Sequence, residues 1–217
     1  MRGSLFWAIL APMSTETEPG MAAAHVRDHL RLLGQFVRQP LRTGAVAPSS
    51  RWLAERLIDG MGLEEADTVV ELGPGTGPFT RLILERARPE ALILAVELNA
   101  HMARNLVRRF PRVRIIHDSA ERLPQHLETL GRPHADCILS GLPFAVFDED
   151  LQERLVNAVV ESLRPGGRFA AFSYLQAAWL PPGRRFRRML ESRFADVRNS
   201  AVEWRNLPPA FVYYCRK

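Results

Sequence analysis

Two kinds of apolar spacing divide this chain. Across 22–39, Val26, Leu30, Leu33 and Val37 recur at i, i+4, i+7 and i+11, which places them on one helix face. Arg27, Arg31 and Arg38 fall on a stripe beside that face, and Pro40 ends the helix. From Thr68 onward the apolar residues come instead in short runs, each followed by a longer stretch with helical spacing. The runs predict strands over 68–71, 91–97, 113–117, 135–140 and 168–174. The stretches predict helices over 79–88, 99–110, 121–130 and 148–163, and a shorter one over 184–193. Two last strands, near 197–204 and 210–215, flank Arg205-Asn-Leu-Pro-Pro209 and predict an antiparallel hairpin at one edge. A helix over 51–61, capped by Ser49 or Ser50, precedes the first strand. Such alternation implies a mostly parallel, seven-stranded, Rossmann-like α/β sheet with helices on both faces.

Length fits this plan as one domain with an appendage. Residues 1–20 read as a disordered or non-native leader, with Met13 and Met21 as alternative starts. Residues 21–50 read as the amphipathic helix and a loop of small residues, Gly44-Ala-Val-Ala-Pro-Ser-Ser50, that is placed to fold over a ligand. Residues 51–217 form the sheet domain. No apolar run approaches the ~20 residues of a membrane-spanning helix. An apolar helix face flanked by arginine suits a membrane interface, and equally suits packing on the domain.

Composition sharpens the partner more than the fold. Apolar residues make up 47% of the chain, enough for a sizeable core, and the formal charge is +5. Lys217 is the sole lysine among 29 basic residues, so the positive charge is guanidinium, which pairs well with phosphates. Arg184-Arg-Phe-Arg-Arg188 either faces phosphates or forms a solvated helix face. Cys137 and Cys215 fall in predicted strands and read as buried thiols in a reducing compartment. They form neither a disulfide framework nor a metal site.

The candidate chemistry begins at the first strand. Glu71 ends it, and Gly73, Gly75 and Gly77 follow as a tight turn into the next helix. Glycines allow that turn and a close backbone approach to a ligand at the carboxyl end of the sheet. A dinucleotide would need a pyrophosphate at the helix N-terminus. S-adenosylmethionine has no phosphate, carries an ammonium group, and suits a carboxylate such as Glu71. Glu97 ends the second strand, 20 residues after Gly77, where a carboxylate can hold both ribose hydroxyls. Leu98 follows it. Asp118 ends the third strand, followed by Ser119 and Ala120, and can accept from an adenine amino group. His117 beside it is either a packing residue or a proton acceptor.

The acceptor side falls to the fourth and fifth strand ends. Ser140-Gly-Leu-Pro-Phe144 offers the carbonyls of a Pro-stiffened turn and the Ser140 hydroxyl to hold an amine. Ser140 also borders the cofactor. Phe144 is either a face for a cation or a core aromatic, and Tyr174 is placed to line the same pocket. The candidate catalytic set is therefore Ser140, Gly141, Leu142, Phe144 and Tyr174. The candidate cofactor set is Ser49, Glu71, Gly73, Gly75, Gly77, Glu97, Leu98, Asp118, Ser119, Ala120 and Ser140.

These motifs together resemble the bacterial phospholipid N-methyltransferases, a branch of the class I S-adenosylmethionine-dependent methyltransferases. The resemblance runs from about residue 26 to 217. It rests on the leading helix, the Gly44–Ser50 segment, Glu71–Gly77, Ser140-Gly-Leu-Pro-Phe144, and Asn206-Leu-Pro-Pro-Ala-Phe-Val-Tyr213. It implies stepwise methylation of phosphatidylethanolamine to phosphatidylcholine with S-adenosylmethionine as cofactor. It also implies peripheral attachment through the first helix to the anionic inner face of the cytoplasmic membrane. Neither nucleic acid nor an obligate protein partner is expected. The nearest competitor is the ribosomal RNA adenine dimethyltransferase family, which resembles this chain in the Gly turn and both acids. Those enzymes carry Asn-Leu-Pro-Tyr where this chain has Ser140-Gly-Leu-Pro, and a helical RNA-binding domain after the sheet. A third reading is a membrane-bound protein that binds the cofactor without methylating a lipid.

Overall fold

The structure, a computed structural model, describes residues 50–217. The leader, Ser49 and the helix bearing Val26, Arg27, Leu30, Arg31, Leu33, Val37 and Arg38 lie outside the described residues. The domain opens with α1 (Arg51–Ile58), whose first turn is capped by Ser50. The Ser50 hydroxyl accepts from the Leu53 N–H at 3.2 Å. Then follow β1 (Thr68–Leu72), α2 (Pro78–Arg86), β2 (Leu92–Val96), α3 (Ala100–Arg109) and β3 (Arg114–Ile116). A 3₁₀ turn, Ala120–Arg122, leads into α4 (Leu123–Thr129) and β4 (Ala135–Ser140). A second 3₁₀ turn, Phe144–Val146, precedes α5 (Glu149–Ser162) and β5 (Leu163–Tyr174). The chain closes with α6 (Leu175–Ala178), α7 (Pro181–Arg193), β6 (Asp196–Asn199) and β7 (Ala210–Arg216).

The seven strands form one sheet in the order β3-β2-β1-β4-β5-β7-β6. All neighbouring pairs from β3 to β5 are parallel, while β7 runs antiparallel to both β5 and β6. The strand order reverses between β1 and β4. In an open sheet of this kind the crevice at the carboxyl end of that junction is where ligands bind. β1 is buried along its whole length, because helices cover both of its faces.

Two apolar layers hold those helices. Leu53, Leu57 and Ile58 of α1 pack with Phe79 and Ile83 of α2 and Leu106 of α3 on one face. Leu123 and Leu127 of α4, Leu155 and Val159 of α5, and Phe186 and Leu190 of α7 cover the other. Each fully buried side chain of this size contributes about 1.5–3 kcal/mol. The second layer also carries a chain of rings: Phe186 stacks on Phe144 and meets Tyr213 edge-on, and Phe169 stacks on Phe194.

Three boundaries differ from the periodicity. The Pro165-Gly-Gly167 turn is a bulge within β5, which pairs with β4 at Leu163 and again from Arg168 onward. Gly166, at φ +74°, lets the chain leave and rejoin the ladder there. α6 was not legible, since four residues are too few to show a period. β6 ends at Asn199 rather than continuing to 204, because Glu203 turns inward. Its buried carboxylate accepts from the Arg205 backbone N–H and from the guanidiniums of Arg205 and Arg56. Both cysteines are buried in strands, and burial pushes each thiol up to about 12.

Candidate active site

All three glycines of the turn after β1 have positive φ: +66° at Gly73, +57° at Gly75 and +83° at Gly77. Their reasons differ. A Cβ on Gly73 would lie 2.6 Å from the Leu142 side chain, and one on Gly77 would lie 2.5 Å from the Phe110 ring. A Cβ on Gly75 would meet nothing within 4 Å. The outer glycines are therefore small so that the turn can pack. The middle one faces open space and can let a ligand approach the backbone.

The acids arrange themselves around that turn. Glu97, just past β2, accepts the Gly75 N–H at 2.9 Å and the Asn99 N–H at 2.8 Å, so it ties the turn to the next strand. Leu98, half-buried beside it, offers its carbonyl to the His117 ring at 3.1 Å. His117 is thus an exposed residue held by backbone. Asp118 accepts the Ser119 N–H through one oxygen. Its other oxygen accepts from His126 Nε2 at 2.9 Å and lies 3.2 Å from Arg122. Ser119 caps the 3₁₀ turn, and Ala120 is buried beneath it.

Glu71 requires a correction. It does not end the strand: β1 runs on to Leu72, and Glu71 is wholly buried within it. The Thr80 hydroxyl of α2 donates to its Oε2 at 2.6 Å, and its Oε1 has no partner. Burial raises its pKa; the Thr80 hydrogen bond opposes that, and the charge on Glu97 adds to it. The net result is a pKa of about 8, so the group is a carboxylic acid at neutral pH. An orphaned carboxyl oxygen in a buried site is an acceptor poised for a cationic donor.

At the fourth strand end, Ser140 is buried and pairs with Leu72 of β1 and Ala171 of β5. Its hydroxyl accepts the Leu142 N–H at 3.2 Å. The Gly141 N–H donates to the Leu72 carbonyl at 2.8 Å, and a Cβ on Gly141 would come 2.6 Å from the Gly73 carbonyl oxygen. The structure thus sets the Ser140–Leu142 turn directly against the glycine turn.

Two acceptor-side expectations change. Phe144 is only 1% exposed and lies 4.2 Å, centroid to centroid, from Phe186. It is a core aromatic with no face for a substrate, because the 3₁₀ turn after Pro143 directs it under α7. Tyr174 ends β5 and meets Phe172 edge-on at 5.4 Å, with burial raising its hydroxyl pKa. Strand alternation sends it to the α1–α3 face, whereas Ser140, following Leu139 of that layer, points to the α5 face. Ser140 and Tyr174 therefore do not share one wall.

Two residues that contact the candidate acids are not singled out by the sequence. Thr80 lies inside the quoted glycine stretch, but only the folded helix shows that its hydroxyl holds Glu71. His126 sits eight residues beyond Asp118, a spacing that carries meaning only once α4 folds back. The acids and backbone donors fit a positively charged adenosine cofactor: an orphaned oxygen on Glu71, open backbone at Gly75, and carboxylates at the ends of β2 and β3. Asp118→Ala is expected to weaken S-adenosylhomocysteine binding by about 1–3 kcal/mol, the scale of a charge-assisted hydrogen bond, as isothermal titration would measure. His126→Ala should give part of that loss.

A parallel sheet with this strand order, a glycine turn after β1 and acids at the ends of the next two strands define a class I S-adenosylmethionine-dependent methyltransferase. Residues 69–167 match the methyltransferase domain family. The chain is 34% identical over 194 residues to the ornithine lipid N-methyltransferase of Singulisphaera acidiphila, a match covering 88% of this chain and 97% of that protein. It therefore belongs to the same methyltransferase family as that enzyme, and S-adenosylmethionine is its cofactor. Shorter matches reach ribosomal RNA methyltransferases. That of Acidobacterium capsulatum is 35% identical over 99 residues, 44% of this chain and 33% of that one. Among solved structures, TrmN of Thermus thermophilus aligns at TM-score 0.61 with 21% identity, over 87% of this chain and 52% of that one. An O-methyltransferase of Bacillus cereus in complex with SAH aligns at 0.58 with 15% identity, over 91% and 97%. At these identities the structural neighbours carry the fold alone.

Proposed function

We propose that this enzyme methylates the amine headgroup of phosphatidylethanolamine and of its mono- and dimethyl forms, yielding phosphatidylcholine. The observation that carries the reading is the nearly full-length similarity to a protein named for N-methylation of an amine lipid. That same name favours a second reading, an ornithine lipid as acceptor. Both acceptors present a primary amine on an amphiphile. The enzyme would work as a peripheral protein on the inner face of the cytoplasmic membrane, attached through the helix carrying Val26 to Arg38.

A lipid primary amine has a pKa near ~10 and is almost wholly protonated at neutral pH. It must lose that proton before it can attack. Bound S-adenosylmethionine supplies a methyl group on a cationic sulfur, which disfavours a second positive charge beside it. The carbonyls of Ser140–Leu142 would hold the freed amine by its remaining N–H groups, next to the glycine turn. No carboxylate stands in that turn to keep the amine charged. Each transfer forms one N–C bond and breaks the S–C bond to that methyl, whose electron pair stays on sulfur as a neutral thioether, and the proton lost from the amine passes to solvent.

The test is transfer of labelled methyl to liposomes holding phosphatidylethanolamine, to liposomes holding an ornithine lipid, and to unmethylated ribosomal RNA. The expected product is methylated phosphatidylethanolamine, with a rate that rises between about pH 7 and 9 as the free amine becomes more abundant. Label in ornithine lipid alone selects the second reading. Label in RNA alone rejects both.

A further inference from the structure

Every tryptophan among the described residues stands at the carboxyl edge of the sheet, and every one is exposed. Trp179 is 73% exposed, Trp204 70% and Trp52 43%, and Leu207 and Leu180 beside them are exposed as well. The chain brings these residues to one edge by three routes. Trp179 and Leu180 follow α6, which leaves the end of β5. Trp204 and Leu207 lie in the loop before β7, whose first residue, Ala210, pairs with Tyr174. The two loops are joined where the Leu175 N–H donates to the Pro209 carbonyl at 2.9 Å. Trp52 opens α1, and that end is fastened to the same loop: the Ser50 N–H donates to the buried Asn206 side chain at 3.0 Å. The Arg205 guanidinium lies over the Trp52 ring at 4.0 Å.

The polar residues interleaved with this apolar set are arginines. Arg205 and Arg51 are exposed beside Trp52, and exposed Arg184 stands one turn after Leu180 without an ion pair among the described residues. The exposed acids Asp148, Glu149 and Asp150 lie beyond it, past the end of β4 at the start of α5. Of the exposed large apolar side chains among the described residues, only Val107 on α3 and Val146 after β4 lie outside the set.

We infer that this edge is a membrane-contacting surface of the sheet domain itself, which seats in the headgroup region of an anionic bilayer. Indole rings with an apolar body and a polar N–H settle at that depth, and guanidinium groups between them meet lipid phosphates. A soluble face would not keep three tryptophans in water. The placement holds the ends of β4 and β5 toward the lipid, so an amine headgroup would reach the Ser140–Leu142 turn without leaving the bilayer. This inference rests on the lipid reading of the acceptor. It is separate from the helix that the apolar spacing predicts across 22–39, since it uses only residues of the folded domain.

The test uses the full chain with a single tryptophan, at 179 or at 204, and the others replaced by Phe. Vesicles contain phosphatidylglycerol and phosphatidylethanolamine with brominated acyl chains, which quench indoles that enter the bilayer. Each tryptophan is expected to shift its emission to the blue and lose at least half of it. Val107→Trp in the tryptophan-free chain is expected to keep its emission. Trp179→Glu with Leu207→Glu is expected to lower vesicle partitioning at least tenfold, with S-adenosylhomocysteine affinity unchanged. Unquenched tryptophans in protein that sediments with vesicles would overturn the inference. An unchanged partition in the double variant, or wild-type protein that binds no vesicles, would do the same. A parallel arm measures methyl transfer to a short-chain phosphatidylethanolamine dissolved below its critical micelle concentration. Quenching without transfer to any lipid keeps the surface and rejects the substrate; transfer without quenching does the reverse.

Discussion

Glu71→Gln is expected to lower S-adenosylhomocysteine affinity by about 10- to 100-fold, the cost of losing a charge-assisted hydrogen bond in a buried site. Gln keeps an oxygen to accept from Thr80, so the local fold survives. What it loses is the charge that meets the ammonium. The carboxyl of the empty protein titrates near 8, so the ligand must drive off a proton when it binds at neutral pH. Wild-type affinity is therefore expected to rise about tenfold per pH unit from pH 6 toward 7.5. It should flatten above about 8, where the carboxyl of the empty protein is already ionised and no proton need be released. The variant should show a flat profile over that range. The same shift acts on stability with a definite sign. A folded pKa raised from 4.5 to about 8 gives a contribution that is complete below 4.5 and is lost as pH climbs to about 8. Empty Glu71→Gln should thus melt higher than empty wild type at pH 8, and equally at pH 4.5 or below. Isothermal titration in buffers of different ionisation enthalpy measures the proton release, and equal release by both proteins would sink this account.

Gly75→Val and Gly141→Val are expected to fail in opposite ways. At Gly75 a side chain has room, and its cost to the fold is the strain of φ +57°, about 1–2 kcal/mol. With the cofactor expected to meet the backbone in that room, binding should fall about a hundredfold or more while the protein still unfolds cooperatively. At Gly141 there is no room: the new Cβ would press on the Gly73 carbonyl at 2.6 Å and on Phe79 at 3.4 Å. The ends of β1 and β4 must then separate, a loss of about 1–3 kcal/mol or more by overpacking. Urea titration with and without S-adenosylhomocysteine separates the two. Wild-type affinity in Gly75→Val would remove the cofactor from the glycine turn.

How much of this was legible beforehand can be followed residue by residue. The strand and helix order, the parallel sheet and its antiparallel edge were all present in apolar spacing, because period 2 and period 3.6 are properties of the local chain. Gly73, Gly75, Gly77, Glu97 and Asp118 lie at the carboxyl edge as their places after strands imply, since chain order alone brings strand ends to one edge. Ser140–Leu142 reaches that edge in the same way. The side chains that failed were those whose direction the local pattern leaves open. Glu71 reads from sequence as the residue that ends β1, because a single carboxylate after an apolar run does not show that the strand continues to Leu72 and that Thr80 of α2 meets it there. Phe144 reads locally as a cation face or a core ring, and α7, from forty residues away, decides for the core by stacking Phe186 on it. Thr80 and His126 gained roles only from the atoms they meet.

The sequence by itself therefore determined the fold class and which acids and glycines stand at the carboxyl edge of the sheet. Those follow from periodicity, glycine stereochemistry and strand order. Only the tertiary structure decided which acid is neutral, which aromatic is core and which tryptophans are left in water. Burial and charge proximity are sums over residues distant in sequence, and no local window contains them.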